Sequence, residues 1–592
     1  MNSKNTQMIT KLMFRLLPVQ AVLAAIGSIN GIVSGFFAAN YVGIDAMSAV
    51  SLYGPLSMFI GAVGTMITGG CAVICGKYLG QNRNDKLQDV FSFDILLSAV
   101  ISLFFTVLFL FMGVFRKTGL FTSDPVLRPV FSRYLIGQAI GILPMILANQ
   151  LPAFLTMENR GRRTLTASLV YIAVNLVLNY VFVQLLSLQE FGLALASSLG
   201  MWVFFAVQAQ YFFSSRSHLK MRPGHFMKDE CLEIFKVGLP GAATYMYMTV
   251  RGLAVNNMIG SACGSAGLSA FAAANNLLGF FWAIPGGMQA VSRLMFSVSV
   301  GEEDRQTLTD IMRVMFFRYL PLMGAVIVLI IAGAPLLTQL YFHDPSSDVY
   351  RMMTDGLRIL PLCMPFSIIA AHFVLYRQAA GQQTFVHIMS LLDGVISVTL
   401  FSALLIKPLG LNAVYIANVL NGIVTTLYVI LYAWKANRHM PRSIEDLMAI
   451  PEDFGVPETD RIDISVTTKQ EVVTLAENIQ KFCLEKGVDE KRAYIAGLAM
   501  EEMAGNVISH GFTKDTKRHS VDTRVVYKDG SITLRIRDDC IPFNPEERAE
   551  MIDEEDPLRN IGIRMIYRIM DDIEYQNLLG LNILTIRLCD RG

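Results

Sequence analysis

The chain has 592 residues, 53% of them apolar, a mean hydropathy of +0.46 and a net charge of +1. So many apolar residues exceed the needs of one soluble core, and without a basic excess we expect no nucleic-acid partner. Residues 1–437 hold 28 Lys+Arg and 18 Asp+Glu, whereas residues 438–592 hold 21 and 30. These net charges of +10 and −9 indicate a basic membrane part (residues 1–437) and an acidic soluble tail (residues 438–592).

Twelve apolar segments of the membrane part are long enough to cross a bilayer, which takes about 20 helical residues. They lie at about 17–40, 46–76, 90–115, 134–157, 165–186, 191–213, 236–258, 268–298, 314–342, 356–376, 387–407 and 411–435. No small-residue cleavage site follows the first segment, so we expect it to remain as an anchor in the lipid bilayer.

Lys and Arg residues mark every second connection, and cytoplasmic loops retain positive charge. The predicted inner connections carry two to four basic residues each, at 77–86, 160–163, 216–228 and 305–313. The outer connections at 41–45, 187–190 and 259–267 carry none, although the loop around 116–133 carries four. We therefore expect a multi-pass plasma-membrane protein with both termini and the tail in the cytoplasm.

The two halves of the membrane part match at a nearly constant offset. Matching residues include Pro18 with Pro240, Gly80 with Gly301 and Gly161 with Gly381. Their common order and their positions relative to the spans indicate a duplicated six-helix unit. Because six is even, we predict two parallel repeats, at about 10–220 and 230–436, with a substrate cavity between them.

Several stretches within residues 10–436 resemble the multidrug and toxic compound extrusion (MATE) transporters. They are VSGFFAANYVGIDAMSAVSL (33–52), GKYLGQNRNDK (76–86), VNLVLNYVF (174–182), FGLALASSLG (191–200) and LGLNAVYIAN (409–418). The resemblance implies export of organic cations or other amphipathic compounds by alternating access, in antiport with Na⁺ or H⁺.

Members of this family commonly carry an Asp in helix 1 and an Asn–Asp pair one turn apart in helix 5. The matching positions here are Ser34 and the pair Asn175 and Asn179. The resemblance thus implies a first-half cation site without its charge. Two amides and a hydroxyl can hydrogen-bond a ligand or coordinate sodium weakly, but they cannot titrate as carboxylates do.

Other ionisable residues lie within the predicted spans, where such groups usually face a cavity or a partner. Arg251 and Asp393 join Ser34, Asn175 and Asn179 as candidates for the transport cavity, with helix packing as the alternative for both. Arg251 needs a carboxylate or backbone partner, because an unpaired buried guanidinium is costly. We expect Asp94 at a solvated helix end.

In the tail, residues 437–457 are predicted to form a linker or a short connecting helix, and residues 458–592 a folded domain. The predicted elements are strand 461–467, helices 469–487 and 489–511, hairpin 520–539, helix 561–575 and closing strand 581–588. This order favours an α+β sandwich with helices on one face of a sheet.

The second of these helices carries Glu502 and Asn506 one turn apart on one face. An amide oxygen can ligate Mg²⁺, and a carboxylate can orient or deprotonate an attacking hydroxyl or water. Alone, this pair is typical of a solvated helix face. It is followed, however, by RDDCIPFNP (537–545), NIGIRMI (560–566) and a strand with Thr585. In this order the elements resemble the GHKL ATP-binding fold, and within it the anti-sigma-factor serine kinases, over about 460–590.

The roles that this resemblance implies are Asn506 as Mg²⁺ ligand, Glu502 as catalytic base, Asp538 as contact to the adenine amino group, Gly562 beside the ATP phosphates at a helix start, and His510 and Thr585 as supporting residues. Two glycines of the family pattern are replaced, by Cys540 and Asn560. A degenerate domain that binds a partner or senses nucleotide is the alternative.

These observations favour an exporter with a cytoplasmic ATP-binding domain that is regulatory or a kinase. The chain has no Gly-x-x-x-x-Gly-Lys-Ser/Thr loop, so we do not expect ATP to power transport directly. The alternative is a membrane ligand sensor whose tail is a serine/threonine kinase acting on a partner protein. A flippase for lipid-linked precursors is a weaker third hypothesis, because the predicted cavity shows no row of cationic residues.

Overall fold

The structure is a computed structural model of the chain. It describes all residues except 1–3, 38–40, 43, 82, 122–124, 126, 216, 222–227, 513–518, 547–560, 571, 579 and 589–592. Some further helical side chains, including that of Ser34, also lie outside the description.

The first half of the membrane part consists of six long helices. They are α1 (Lys4–Phe37), α2 (Ile44–Gly80), α3 (Asn84–Val114), α4 (Leu127–Met157), α5 (Gly161–Leu185) and α6 (Gln189–Phe212). The last turn of α5, from Tyr180, is π-helical. Over the described residues, each of the six predicted spans of this half therefore falls inside one of these helices to within one residue.

The second half begins with one very long helix and continues with four more. They are α7 (Lys228–Gly301), α8 (Arg305–Gln339), α9 (Asp348–Ala379), α10 (Gln383–Leu409) and α11 (Asn412–Asn437). A kink at Gly264, where φ is +64° and ψ is −161°, divides α7 into two arms. Only its second arm, with ten other helices, is apolar enough over the described residues to count as a membrane span. Counting both arms gives the twelve predicted helices.

The two halves meet where α2 packs against the second arm of α7. A Cβ added to Gly80 would collide with the backbone at Gly301, and one added to Gly301 would collide with the backbone of Lys77. Gly80 and Gly301 are equivalent positions of the sequence repeat, and they face each other at the junction of the halves. Close backbone approach of this kind requires residues without side chains.

A short helix, α12 (Ile444–Met448), lies between the membrane part and the domain. Its N-terminus has a capping box formed by Ser443 and Asp446. Arg305 pairs with Glu445 and donates to the carbonyl of Pro451, which holds this segment against the start of α8. The predicted linker is therefore packed on the membrane helices.

Among the residues that the structure describes, the domain contains a five-stranded antiparallel sheet and three helices of nine residues or more. The strands are β1 (Arg461–Val466), β2 (Val521–Lys528), β3 (Ser531–Asp538), β4 (Asp572–Leu578) and β5 (Leu581–Leu588), in the order β1-β2-β3-β5-β4. The helices are α13 (Lys469–Glu485), α14 (Glu490–Asn506) and α15 (Ile561–Ile569). They cover one face of the sheet, as predicted, and share a core with Leu534, Ile536 and Ile586.

One predicted boundary in the domain is wrong. The sequence favours a helix over 561–575, but α15 ends at Ile569 and β4 begins at Asp572. Ile573 and Tyr575 pair with Ile586 and Leu584 of β5, so tertiary pairing determines the structure of this segment. The hairpin, in contrast, turns as predicted, with positive φ at Asp529 and Gly530.

Candidate functional site

A cavity of about 450 Å³ lies between the helices and the sheet of the domain. Glu502 and Asn506 of α14 line one wall, Asp538 at the end of β3 lines another, and Gly562 of α15 lines a third. Three separate chain segments between residues 502 and 562 thus bring these four predicted residues together. The volume is in the range of small-molecule sites.

Asp538 is buried at the sheet end of this cavity. Its Oδ1 accepts hydrogen bonds from the Asn582 amide, at 2.8 Å, and from the backbone N–H of Cys540, at 2.9 Å. Burial raises the pKa of Asp538, and these hydrogen bonds partly offset that effect. The carboxyl is therefore a preorganised acceptor in an apolar setting formed with Ile536 and Leu584.

Asn582 links several walls of the cavity, and the sequence did not single it out. Its Oδ1 accepts from the Tyr575 hydroxyl and from the Asn577 amide, both at 2.8 Å, while its Nδ2 donates to Asp538. The one available signal was an amide near the start of the apolar strand LNILTIRL.

The Glu502 carboxylate lies at the start of α15. A Cβ added to Gly562 would collide with the Glu502 carboxylate, so a larger residue here requires that side chain to move. The first N–H groups of a helix have no intrahelical partners and favour anions. The proposed base thus adjoins a helix N-terminus suited to phosphate.

The remaining predicted positions of this site differ in their relation to the cavity. His510 and Cys540 line the cavity, but Thr585 does not. Side chains alternate along β5, so Asn582 and Leu584 face the cavity while Thr585 faces the opposite side, toward Glu302. The structure therefore places Thr585 on the face of the sheet opposite the cavity, and its supporting role for ATP stays a prediction. Asn560 lies outside the described residues.

The opposite face of the sheet binds the connection between α7 and α8. Arg535 donates to Glu302 at 2.7 Å and to Asp304 at 2.6 Å, and Arg537 donates to Glu302 at 2.8 Å. Arg524 pairs with Asp304 at 2.7 Å. The side chains of Glu302 and Asp304 are only 8% and 3% exposed, so this cluster is a buried interface rather than a surface contact.

The Asp304 carboxyl of this cluster is held ionised. Burial raises the pKa of Asp304, but the charges of Arg524, Arg535 and Arg537 outweigh it and hold the pKa well below its usual range. Asp304 also caps α8 by accepting from the N–H of Thr307 at 3.0 Å. It therefore orders a membrane helix and binds the domain simultaneously.

The domain also touches the first half of the membrane part. Arg15 of α1 donates to Asn159, and Asn159 donates to Asn577 of β4, both at 3.2 Å. Leu581 and Ile583 of β5 pack into the core of the membrane helices. One domain thus bridges both halves at the end where α2 and α7 meet.

The predicted first-half polar pair is buried within the helix bundle. Asn179 donates to the carbonyl oxygen of Asn175 at 2.8 Å and to its side-chain oxygen at 3.2 Å, and Asn175 donates to Ser197 at 3.5 Å. The three residues form an uncharged cluster between α5 and α6.

In the second half, Arg251 has the partner that its burial requires. It donates to the backbone carbonyl of Asp393 at 3.0 Å, and the Asp393 carboxylate accepts from Asn421 at 2.7 Å. The expectation for Asp94 is wrong. Asp94 is 1% exposed and accepts from Ser98 at 3.2 Å, because it faces α2 rather than the helix end.

A cavity of about 640 Å³ lies between the two halves of the membrane part. Residues of α1, α2, α4 and α6 line one side, and Tyr245, Gly286 and Arg293 of α7 line the other. Of the predicted cavity residues, Asn175, Asn179, Arg251 and Asp393 are not in this lining, and the Ser34 side chain lies outside the description. Arg293 was not among the residues predicted for the cavity, although it is the one charged residue of its predicted span.

Comparison with known proteins resolves the family. A model of the MatE family matches residues 20–181 and 240–405, more than half of the chain. The chain belongs to the MatE family. A second model, of a histidine kinase-like ATPase domain, matches residues 438–588. Both resemblances are confirmed, together with the twelve-helix fold and its α+β domain.

Relatives of the MatE part include the multidrug export protein MepA of Staphylococcus haemolyticus, 23% identical over 63% of this chain and 82% of that protein. A MATE crystal structure in complex with MaL6 superposes with a TM-score of 0.67 at 19% identity, covering 76% of this chain and all of that one. A MOP superfamily transporter from Pyrococcus furiosus, whose binding pocket is described as having reverse polarity, superposes with a TM-score of 0.64 at 19% identity over 75% of this chain and 99% of that one.

Proposed function

We propose that the membrane part exports amphipathic small molecules by alternating access in antiport with Na⁺ or H⁺, and that the tail binds Mg–ATP and regulates this transport. Membership of the MatE family and a relative described as a multidrug export protein support the first statement. The cavity between the halves, at the position that alternating access requires, supports it further.

The observation that carries the regulatory proposal is the two-sided use of β3. Asp538 lines the domain cavity, and its neighbour Arg537 binds Glu302 of the membrane part. A ligand that moves the end of β3 therefore moves the contact with the α7–α8 connection. Because the same domain touches Asn159 of the first half, it can influence how the halves approach each other.

The four predicted residues of the domain cavity each have a proposed role in nucleotide binding or phosphoryl transfer. Asp538 accepts from the adenine amino group, the Asn506 amide oxygen ligates Mg²⁺, and the helix start at Gly562 holds phosphate. Mg–ATP, when bound, supplies a transferable phosphoryl group. Glu502 lies where it can take the proton of an attacking hydroxyl or water.

The arrangement of basic loops supports a cytoplasmic tail. The domain packs against loops next to Lys77, Arg160 and Arg305, which belong to three of the four predicted basic inner connections of the membrane part. Positive loops stay in the cytoplasm, where ATP is available. We therefore propose that both termini lie in the cytoplasm and that the protein resides in the plasma membrane.

A second function is favoured by the neutral cluster of Asn175 and Asn179. Without a titrating carboxylate there, the membrane part would act as a ligand sensor, and the tail as a serine/threonine kinase for a cytoplasmic partner protein.

Flux in proteoliposomes separates the two functions. Purified full-length protein would be tested with imposed Na⁺ or H⁺ gradients and amphipathic dyes, with and without Mg–ATP on the tail side. We expect gradient-driven flux that Mg–ATP alters in the wild type but not in Asn506→Ala. The absence of flux for every dye, together with phosphorylation of a bound protein, would replace the exporter by the sensor. Mg-dependent nucleotide binding that survives Asn506→Ala would refute the assigned site.

A further inference from the structure

The cavity between the halves contains one charged group among its described lining residues. Arg293 of α7 is that group, and no Asp or Glu is among the described residues that line the cavity. The other polar lining residues are neutral amides and hydroxyls, including Gln20, Asn149 and Tyr245. The charge that these described residues contribute to the cavity lining is therefore positive.

The Arg293 guanidinium makes no ion pair with any described residue, and its buried Nε has no hydrogen-bond partner among them. Two other arginines within the membrane part differ. Arg251 donates to the carbonyl of Asp393, and Arg377 donates to Gln382 and to the carbonyl of Met448. An uncompensated charge at membrane depth is costly and is retained where it has a function.

We propose that this cavity binds amphipathic anions, with the carboxylate, sulfonate or phosphate of the ligand paired with Arg293. The guanidinium offers several donors in a planar fork that matches these groups. Leu23, Ile60 and Phe204 provide apolar surface for the rest of the molecule. The volume of about 640 Å³ accommodates a drug-sized ligand. An organic cation would instead meet a like charge.

This inference rests on the proposed export function for its biological meaning, but binding tests it without transport. Fluorescein and rhodamine 123 share a xanthene ring system and carry opposite charge, so they are suitable probes. Their affinities for the full-length protein in nanodiscs would be measured by fluorescence polarisation. We expect fluorescein to bind the wild type more tightly than rhodamine 123.

Variants assign that preference to Arg293. We expect Arg293→Gln to weaken fluorescein binding about 30-fold or more, as when one partner of a buried charge pair is removed. Arg293→Lys should retain most of the affinity. Arg318→Gln is the matched control, because Arg318 lies exposed on α8, outside the cavity lining, and it should change nothing. Should Arg293→Gln fail to assemble, Asn149→Asp adds a negative charge to the same cavity and should also lower the fluorescein affinity.

Two results would overturn the inference: tighter binding of rhodamine 123 by the wild type, or equal effects of Arg293→Gln and Arg318→Gln. Parallel flux measurements keep the two proposals apart. Gradient-driven flux of rhodamine 123 alone would overturn anion binding and leave export standing. Arg293-dependent binding of fluorescein without flux of either dye would leave the anion site standing and overturn export.

Discussion

Asp304→Asn is the sharpest test of the interface between the domain and the membrane part. Asparagine has nearly the shape of aspartate and is an equally good helix cap, so the bond to the N–H of Thr307 can persist. The substitution therefore removes one negative charge from the contacts with Arg524 and Arg535. We expect the domain to detach more readily from the α7–α8 connection.

The magnitude follows from burial. Asp304 is 3% exposed and faces two guanidinium groups at 2.7 and 2.6 Å. Removing one partner of a buried charge pair costs about 3–5 kcal/mol. Glu302 remains to compensate Arg535, so we expect the lower end, about 3 kcal/mol, or roughly a 100-fold shift in docking. Glu303→Gln is the control, because its pair with Lys528 is about half exposed and contributes under about 1 kcal/mol.

Hydrogen–deuterium exchange of the segment around residues 298–305 reports docking in the full-length protein. Its amides should exchange much faster in Asp304→Asn and nearly unchanged in Glu303→Gln. Equal exchange in both variants, or no change in either, would refute the argument that the buried cluster holds the domain. The lowered pKa of Asp304 also predicts the direction of the pH dependence. The contribution of Asp304 to docking is present at neutral pH and is lost only as the pH falls through that lowered pKa.

Three further substitutions test the cavity and the junction of the halves. Asp538→Asn should weaken Mg–ATP binding by about tenfold or more in calorimetry; because burial raises the pKa of Asp538, wild-type binding should weaken on acidification at a higher pH than for an ordinary carboxyl. Unchanged affinity would exclude this contact. Gly562→Ala should weaken nucleotide binding, since its Cβ would displace the Glu502 carboxylate; unchanged affinity would mean that Glu502 moves aside without cost. Gly301→Ala should push α7 away from the backbone of Lys77 and open the junction, so that a reagent added on the tail side labels the membrane cavity more readily. Labelling of the variant at the wild-type level would contradict a closed junction.

The sequence predicts best where one physical signal dominates. Apolar length marks the spans, and the offset between Gly80 and Gly301 marks the repeat. The structure adds that these two residues touch, which no periodicity could indicate. In the tail, alternation and turn residues predict the hairpin and the closing strand. The sequence does not predict the boundary between helix and strand after Ile569, because β4 forms through its pairing with β5.

The errors at the sites have a common cause, namely that the environment of a side chain depends on distant parts of the chain. Thr585 and Asn582 lie three residues apart on β5 and face opposite sides of the sheet. Asp94 is buried because α2 packs against its face of α3. Arg293 is a single basic residue in an apolar span, and only the packing of the halves places it in the cavity.

The back-to-back placement of Arg537 and Asp538 constrains how this chain can change through evolution. Point substitutions alter one face of β3 at a time, but inserting or deleting one residue within Ser531–Asp538 would reverse the faces of every residue beyond it. The acidic loop would then face Asp538, and the domain cavity would receive a guanidinium. We therefore expect homologues with the same domain arrangement to vary in composition along this strand but not in its length.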